Sequence, residues 1–326
     1  MHPREMSPAA KFVAGNKAAL AFANLSNGSN GMLTAGVSPK SLYEELRGKL
    51  RKVEIEGEDL YIAEGDTLLD EAQLEVYAFQ KQAANEARHV EDSVTVANIA
   101  LANEAASEAG LGRIRLSENG DERGLLGMIQ NGKIVRWAPG FVLTYCILKR
   151  TFPNAQHYEM VKANFKAATA AWEAICGIKF EYKEQLDDSI NTDPSDVGVV
   201  FVVRELDAGG RFIAAAFFPN DPAFRRRVLI DPSYYRPGGF NKIGVFRHEL
   251  GHVLGFRHEH TRPGAPSSCP HENIEDTIEL TKFDSRSVMH YMCGGVGDPE
   301  LQITALDKAG AQKVYGPPLE MMTFVS

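Results

Sequence analysis

No apolar run in this 326-residue chain approaches the roughly 18 residues that a membrane-spanning helix needs, so no span is expected. Basic residues are the minority: 35 Lys and Arg against 43 Asp and Glu give a formal net charge of -8. That balance argues against a nucleic-acid partner. The densest basic run, Arg225-Arg226-Arg227, reads as a solvated loop ahead of a strand at Val228–Ile230. Cysteine is scarce. The four residues, Cys146, Cys176, Cys269 and Cys293, show no C-x-x-C spacing, which argues against a cysteine-based zinc site. Their even number permits two disulfides in any of three connectivities, and buried free thiols equally well. A clear export signal is also lacking. Lys11 and Lys17 precede a short apolar stretch, Ala18 to Leu25, but Asn24 interrupts it. The sequons at Asn24 and Asn27 are weak in so Ser/Asn/Gly-rich a stretch. With 44% hydrophobic and 24% charged residues, the composition is that of a globular protein of one large domain or two.

What the chain does contain is His248-Glu249-Leu250-Gly251-His252-Val253-Leu254-Gly255-Phe256-Arg257-His258, an H-E-x-x-H-x-x-G-x-x-H pattern. Ile243, Phe246, Leu250, Val253 and Leu254 give Asn241 to Leu254 a helical apolar period. Residues four apart share a helix face, so His248 and His252 point the same way. Glu249 is rotated off that face, where it can serve as a base rather than a ligand. Gly255 stops the helix, because glycine enters the left-handed region without a Cβ penalty, and lets His258 return to the same ion. Three neutral imidazoles hold one Zn²⁺ and leave a position open. The implied reaction is zinc-assisted attack of water on a peptide carbonyl.

On these residues the chain resembles the metzincin metallopeptidases. Phe256 to Pro263 is similar to the segment that follows the zinc helix in astacins. Ser287-Val288-Met289-His290-Tyr291 resembles the astacin S-x-M-H-Y turn, and Leu306-Asp307 through Val314-Tyr315-Gly316 resembles the closing helix. The resemblance covers about Trp137 to Gly316. It implies a hydrophobic base under the zinc at Met289. It also implies a Tyr291 that either ligates zinc at rest or donates a hydrogen bond to the oxyanion. Glu64-Gly65-Asp66 resembles an astacin pro-region segment in which the aspartate closes the open zinc position, giving a latent enzyme. Read without the resemblance, Gly65-Asp66 is a turn followed by a helix cap. Cys269–Cys293 is the favoured disulfide, since the two flank the loop between the third histidine and Met289. Cys146–Cys176 would be the remaining pair. This departs from the usual astacin cysteine pattern and suggests a divergent relative.

Along the chain, residues 1–40 read as flexible leader or linker, 41–132 as a pro-region-like segment, 133–316 as the peptidase domain and 317–326 as a tail. Val53 to Ile62 alternates like one strand. Leu69 to Arg88 reads as a helix capped by Asp66 or Thr67, and Gly110 to Gly132 as loop with a short strand. Lys133–Trp137, Phe141–Leu148, Ile178–Phe180, Val197–Val203, Ala214–Phe218 and Val228–Ile230 read as strands, and Tyr158–Cys176 as a long helix stopped by Gly177. The expected fold is α+β: a twisted mixed sheet, two long helices and an irregular lower subdomain behind a smaller N-terminal region. The expected function is that of a zinc endopeptidase with Glu249 as base, secreted and monomeric, acting on protein or peptide substrates laid along Ala214 to Phe218. Arg257 and Arg262 are candidates for favouring acidic substrate groups. The alternatives are a non-catalytic zinc-stabilised binding or adhesion module, and, more weakly, an inhibitor or immunity-like protein copying the fold.

Overall fold

The computed structural model describes residues 39–55, 57–78, 124–130, 133–262, 264–269 and 277–319. The leader through residue 38, both sequons, most of 110–132 and the end of the tail lie outside them. The architecture is α+β. The main sheet contains β6 (Val142–Ile147), β7 (Lys179–Tyr182), β8 (Phe201–Glu205), β9 (Ala214–Ala215) and β10 (Arg227–Ile230), in the order β7-β6-β8-β10-β9. The β6–β7, β6–β8 and β8–β10 pairs are parallel, and β9 closes the edge antiparallel to β10. Parallel neighbours need a long crossover. Helix α2 (Ala155–Glu173) supplies the one from β6 to β7. Asn154 caps its start by accepting from His157 N.

Helix α3 (Lys242–Val253) packs on α2 beneath this sheet, capped by Asn241. Its Phe246, Leu250 and Val253 are fully buried in one core with Phe165 and Trp172 of α2. The Trp172 indole donates to Arg247 O at 2.9 Å, tying the two helices together. A second sheet is built on β4 (Gly124–Gln130), flanked antiparallel by β11 (Phe256–Arg257) and β12 (Thr277–Thr281) and joined by β5 (Lys133–Ile134). Helix α4 (Ala305–Tyr315) lies against β12 and β4.

Ahead of these, helix α1 (Pro39–Lys49) leads into an antiparallel sheet of β1 (Arg51–Ile55), β2 (Glu58–Ala63) and β3 (Thr67–Leu69). Val53, Ile55, Leu60 and Ile62 form its apolar face, against Ala208, Phe212, Ala215 and Leu229. Burying such side chains contributes roughly 1.5–3 kcal/mol each before entropy is counted. The N-terminal sheet is therefore docked by a core of its own.

Several sequence expectations are corrected. Val53 to Ile62 is a hairpin rather than one strand, turning through Gly57 at φ 83°. The helix expected from Leu69 starts at residue 71, because Leu68 and Leu69 pair with β2. Neither Asp66 nor Thr67 caps it. Asp70 Oδ1 accepts from Gln73 N at 2.5 Å, and Gln73 Oε1 accepts from Asp70 N at 3.0 Å. The stretch 133–137 is strand only at Lys133–Ile134. Residues 194–197 form a helical turn, and the edge strand is two residues long. Arg225 is not a solvated loop residue: its guanidinium pairs with Asp70 and donates to Gln73 Oε1 at 2.8 Å.

Candidate metal centre

The helical period of α3 puts His248 and His252 one turn apart. Each fixes its ring by a backbone partner: Nδ1 of His248 stands 2.8 Å from Val288 O, and Nδ1 of His252 stands 2.8 Å from Phe256 O. A carbonyl only accepts, so in both rings the proton sits on Nδ1 and the Nε2 lone pair faces inward. The chain then reverses at Gly255, whose φ is 90°. A Cβ there would lie 2.5 Å from Val135 O, so both the conformation and the space require glycine. The reversal lets β11 pair with β4 and brings His258 back to the site.

The three Nε2 atoms converge. His258 Nε2 is 3.3 Å from His248 Nε2 and 3.1 Å from His252 Nε2. With inward lone pairs on His248 and His252, such a cluster lacks the protons to bond all its members. It suits a cation instead. Ligands about 2.0–2.1 Å from a tetrahedral zinc stand about 3.3–3.4 Å apart, close to the spacing found. Asp66 comes in as a fourth donor: Oδ2 is 3.3 Å from both His248 and His258, and Oδ1 is 3.7 Å from His252. All four donor atoms lie within 4.8 Å of one another, and all four residues are buried. The donor set therefore fits Zn²⁺.

Burial pushes His252 down to about 4, keeping it neutral. Burial works to raise Asp66, but His258 and His252 hold it well below the carboxylate range. Burial first, then the charge of Asp66, pushes Glu249 well above that range. Glu249 is 3% exposed, and its Oε2 has no hydrogen-bond partner among the described residues. An orphaned buried carboxylate oxygen costs stability.

Met289 lies under the cluster, fully buried. A methyl added to Gly251 would fall 2.2 Å from its Sδ, so the thioether packs directly on the helix backbone. The turn carrying Met289 is fixed by Asp307 of α4. That carboxylate accepts from Ser287 Oγ at 2.6 Å and Val288 N at 2.9 Å while closing a capping box with Thr304. Tyr291 follows, and its hydroxyl donates to Asp66 Oδ2. The disulfide Cys269–Cys293 closes this rim, with Cys146 and Cys176 free and buried. Their pairing, the second expected bridge, is thus corrected.

Some partners were invisible in the sequence. Glu64, at φ 54°, pairs with Arg257 and so places Asp66 over the histidines. Arg257 is thus engaged by the N-terminal segment, and Arg262 is 1% exposed and bonded to Glu259 at 2.9 Å. Glu259 is fully buried, and burial raises it to about 8. A cavity of about 180 Å³ opens beside Glu249 and His248, walled by Phe212, Ile213, Ala214, Phe240, Val245 and Leu301. Leu301 is held at φ 44°, its carbonyl accepting from Arg247 Nη1 at 2.9 Å.

Fold and site together present a buried cluster of three histidines and one aspartate that could hold a metal ion, and they resemble a metzincin-type centre. The matrixin peptidase family model matches residues 136–288. The chain is 35% identical over 74 residues to zinc metalloproteinase nas-2 of Caenorhabditis elegans, covering 20% of this chain and 24% of that one. It is 39% identical over 67 residues to high choriolytic enzyme 1 of Oryzias latipes, covering 17% and 25%. The matches thus span about a quarter of those relatives' own length. The solved structure of myroilysin superposes with a TM-score of 0.40 at 16% identity, covering 58% of this chain and 98% of that one. Over these stretches the chain is similar to the matrixin model and to astacin-type zinc metalloproteinases.

Proposed function

We propose that this chain is a zinc-dependent endopeptidase that is latent while its N-terminal segment is docked. The observation that carries the reading is the convergence of three Nε2 atoms beside the unpartnered oxygen of Glu249. His248, His252 and His258 would hold one Zn²⁺. When bound, the ion polarises a peptide carbonyl and makes water more acidic. Glu249 takes the water proton and returns it to the leaving amine. Tyr291, released from Asp66, donates its hydroxyl to the developing oxyanion. The substrate backbone pairs with the edge strand at Ala214–Ala215. An apolar side chain next to the scissile bond fills the cavity that Phe240, Val245 and Leu301 wall.

Asp66 supports the latent form, because its carboxylate completes the donor set and its charge, added to burial, pushes Glu249 well above the carboxylate range. In this reading residues 41–132 act as the pro-region, 133–316 as the peptidase, and the mature protein is secreted and monomeric. The same donor set also fits the alternative of a structural site, which closes its coordination with a fourth protein ligand. The full-length Asp66→Ala chain separates the two. A latent peptidase gains cleavage of a denatured protein, and a structural zinc protein loses zinc and gains nothing.

A further inference from the structure

The N-terminal segment crosses the metal centre with two carboxylates, and each meets a different group on the peptidase. Asp66 goes to the histidines, and Glu64, two residues earlier, pairs with Arg257. The pair is well covered: the Glu64 side chain is 1% exposed and that of Arg257 11%. The other Glu64 oxygen stands 3.5 Å from His258 Nδ1, so the carboxylate sits beside the donor set. Arg257 is positioned by the peptidase itself. It lies on β11, whose pairing with β4 sets it opposite Leu126, one residue before the third histidine. Its guanidinium lies over the Phe218 ring, 5.7 Å from the centroid, and that ring meets His252 edge-on at 5.3 Å. Arg257, Ala216, Phe218 and Asn220 line one cavity together with Glu64. Asp221 lines it too, and its carboxylate accepts from Phe218 N at 2.7 Å within its own loop. The apolar cavity beside Glu249 and His248 lies at the Ala214 end of the edge segment, whereas Arg257 lies at the Phe218 end.

We propose that Arg257 is a specificity-determining residue of the open peptidase. It pairs with an acidic substrate side chain, on the opposite side of the scissile bond from the apolar side chain that fills the Glu249 cavity. Glu64 is the stand-in for that acid in the docked form. The segment that carries Glu64 leaves when the enzyme opens, and a substrate carboxylate then makes the pair that Glu64 makes here. The spacing agrees. Glu64 is two residues from Asp66 at the histidines, and an extended chain covers about 3.3–3.6 Å per residue, so an acid about two or three residues from the scissile bond reaches the same guanidinium. The chemistry agrees as well. A guanidinium laid over an aromatic face presents its N–H donors at its edge, and charge-assisted bonds from such a fork to a carboxylate are stronger than neutral ones. Because this pair forms away from the reacting carbonyl, its contribution falls on KM and leaves kcat nearly unchanged.

This role rests on the peptidase reading, and the test separates the two. The parent is the full-length, zinc-loaded chain with Glu64→Ala and Asp66→Ala, which removes both carboxylates of the docked segment. Peptide pairs carry an apolar residue at the scissile bond and Glu or Gln two or three residues away on its other side, made in both chain directions. In the direction that is cleaved, the Glu peptide should have a kcat/KM roughly tenfold above the Gln peptide, mostly through KM. Arg257→Gln should bring that ratio to within about twofold, and Arg257→Lys should keep most of it. Restoring Glu64 while Asp66→Ala is kept should lower the ratio, because the tethered carboxylate competes. If Arg257 only anchors the N-terminal segment, Arg257→Gln changes cleavage of both peptides equally and leaves the ratio as it was; that result overturns the proposal. A second readout needs no turnover. With Glu249→Gln added to stop cleavage, fluorescence anisotropy of the labelled peptides should show the same preference for Glu, lost in Arg257→Gln. Equal binding of the two peptides to the parent would also overturn it. No cleavage of any peptide by the parent would instead sink the peptidase reading, and the anisotropy ratio would still decide the role of Arg257.

Discussion

The turn at Gly255 gives a prediction whose size can be worked from the structure. Its φ of 90° disfavours any residue with a Cβ. For an L-residue that strain costs roughly 1–2 kcal/mol. The added carbon would also sit 2.5 Å from Val135 O, a backbone atom that cannot swing aside. Relieving such an overlap costs roughly a further 1–3 kcal/mol. Gly255→Ala should therefore destabilise by about 2–5 kcal/mol, or about 4–20 °C in Tm at the usual 2–4 °C per kcal/mol. Gly140 is the control: φ is 75° there, and nothing lies within 4 Å of the added carbon. Gly140→Ala should show the strain alone, about 1–2 kcal/mol. The assay is calorimetry of both variants, with zinc retention against a chelator. Because Gly255 returns His258 to the site, only Gly255→Ala should give up zinc more easily. If the two variants match in Tm and in zinc retention, the contact reasoning is wrong.

Asp66→Ala in the full chain should raise peptidase activity about 10- to 1,000-fold, since a closed state of this kind leaves about 0.1–10% open. Activity on a quenched peptide checks it, and no gain would reject the latency. Breaking Cys269–Cys293 with paired serines should cost about 3 kcal/mol by loop entropy, read from the urea midpoint. Burial works to raise Asp231, but its bonds from Ser233, Gly210 and Ala208 hold it below the ordinary carboxylate value. A depressed acid stabilises the fold above the unfolded pKa and loses that contribution as pH falls through the folded pKa. Asp231→Asn should therefore lose stability at pH 7 and show less of the acid-side decline; parallel denaturation at pH 7 and pH 3 measures both. Leu301→Ala should shift cleavage toward bulkier side chains beside the scissile bond, read by mass spectrometry of peptide-mixture products. An unchanged profile would remove Leu301 from the cavity's role.

The histidine motif was legible because its physics is local: one helical turn, one glycine, one reversal. The apolar period that pointed Phe246 and Leu250 inward relies on the same local geometry, and both are fully buried. Asp66 was harder to read. Spacing alone made it a helix cap, and only the resemblance connected it to a histidine 192 residues away. The cap belongs to Asp70 because β3 extends the N-terminal sheet through Leu69, a tertiary pairing that local propensity does not register. The hairpin at Gly57 was read as one strand because alternation has the same period on both sides of a tight turn. Arg225 reads as solvated in the sequence, and Arg257 and Arg262 as substrate-facing. Charged residues are usually exposed, and Arg225, Arg257 and Arg262 each find a partner in another segment, at Asp70, Glu64 and Glu279.

The most direct test of the account compares cleavage of one denatured protein by the full-length Asp66→Ala chain and by the same chain carrying Glu249→Gln. The account predicts that the parent cleaves. It predicts that the glutamine variant, still holding one zinc on His248, His252 and His258, loses cleavage by a factor on the order of 100 or more. Equal cleavage by the two chains would contradict the assignment of Glu249 as the base, and with it the reading of this centre.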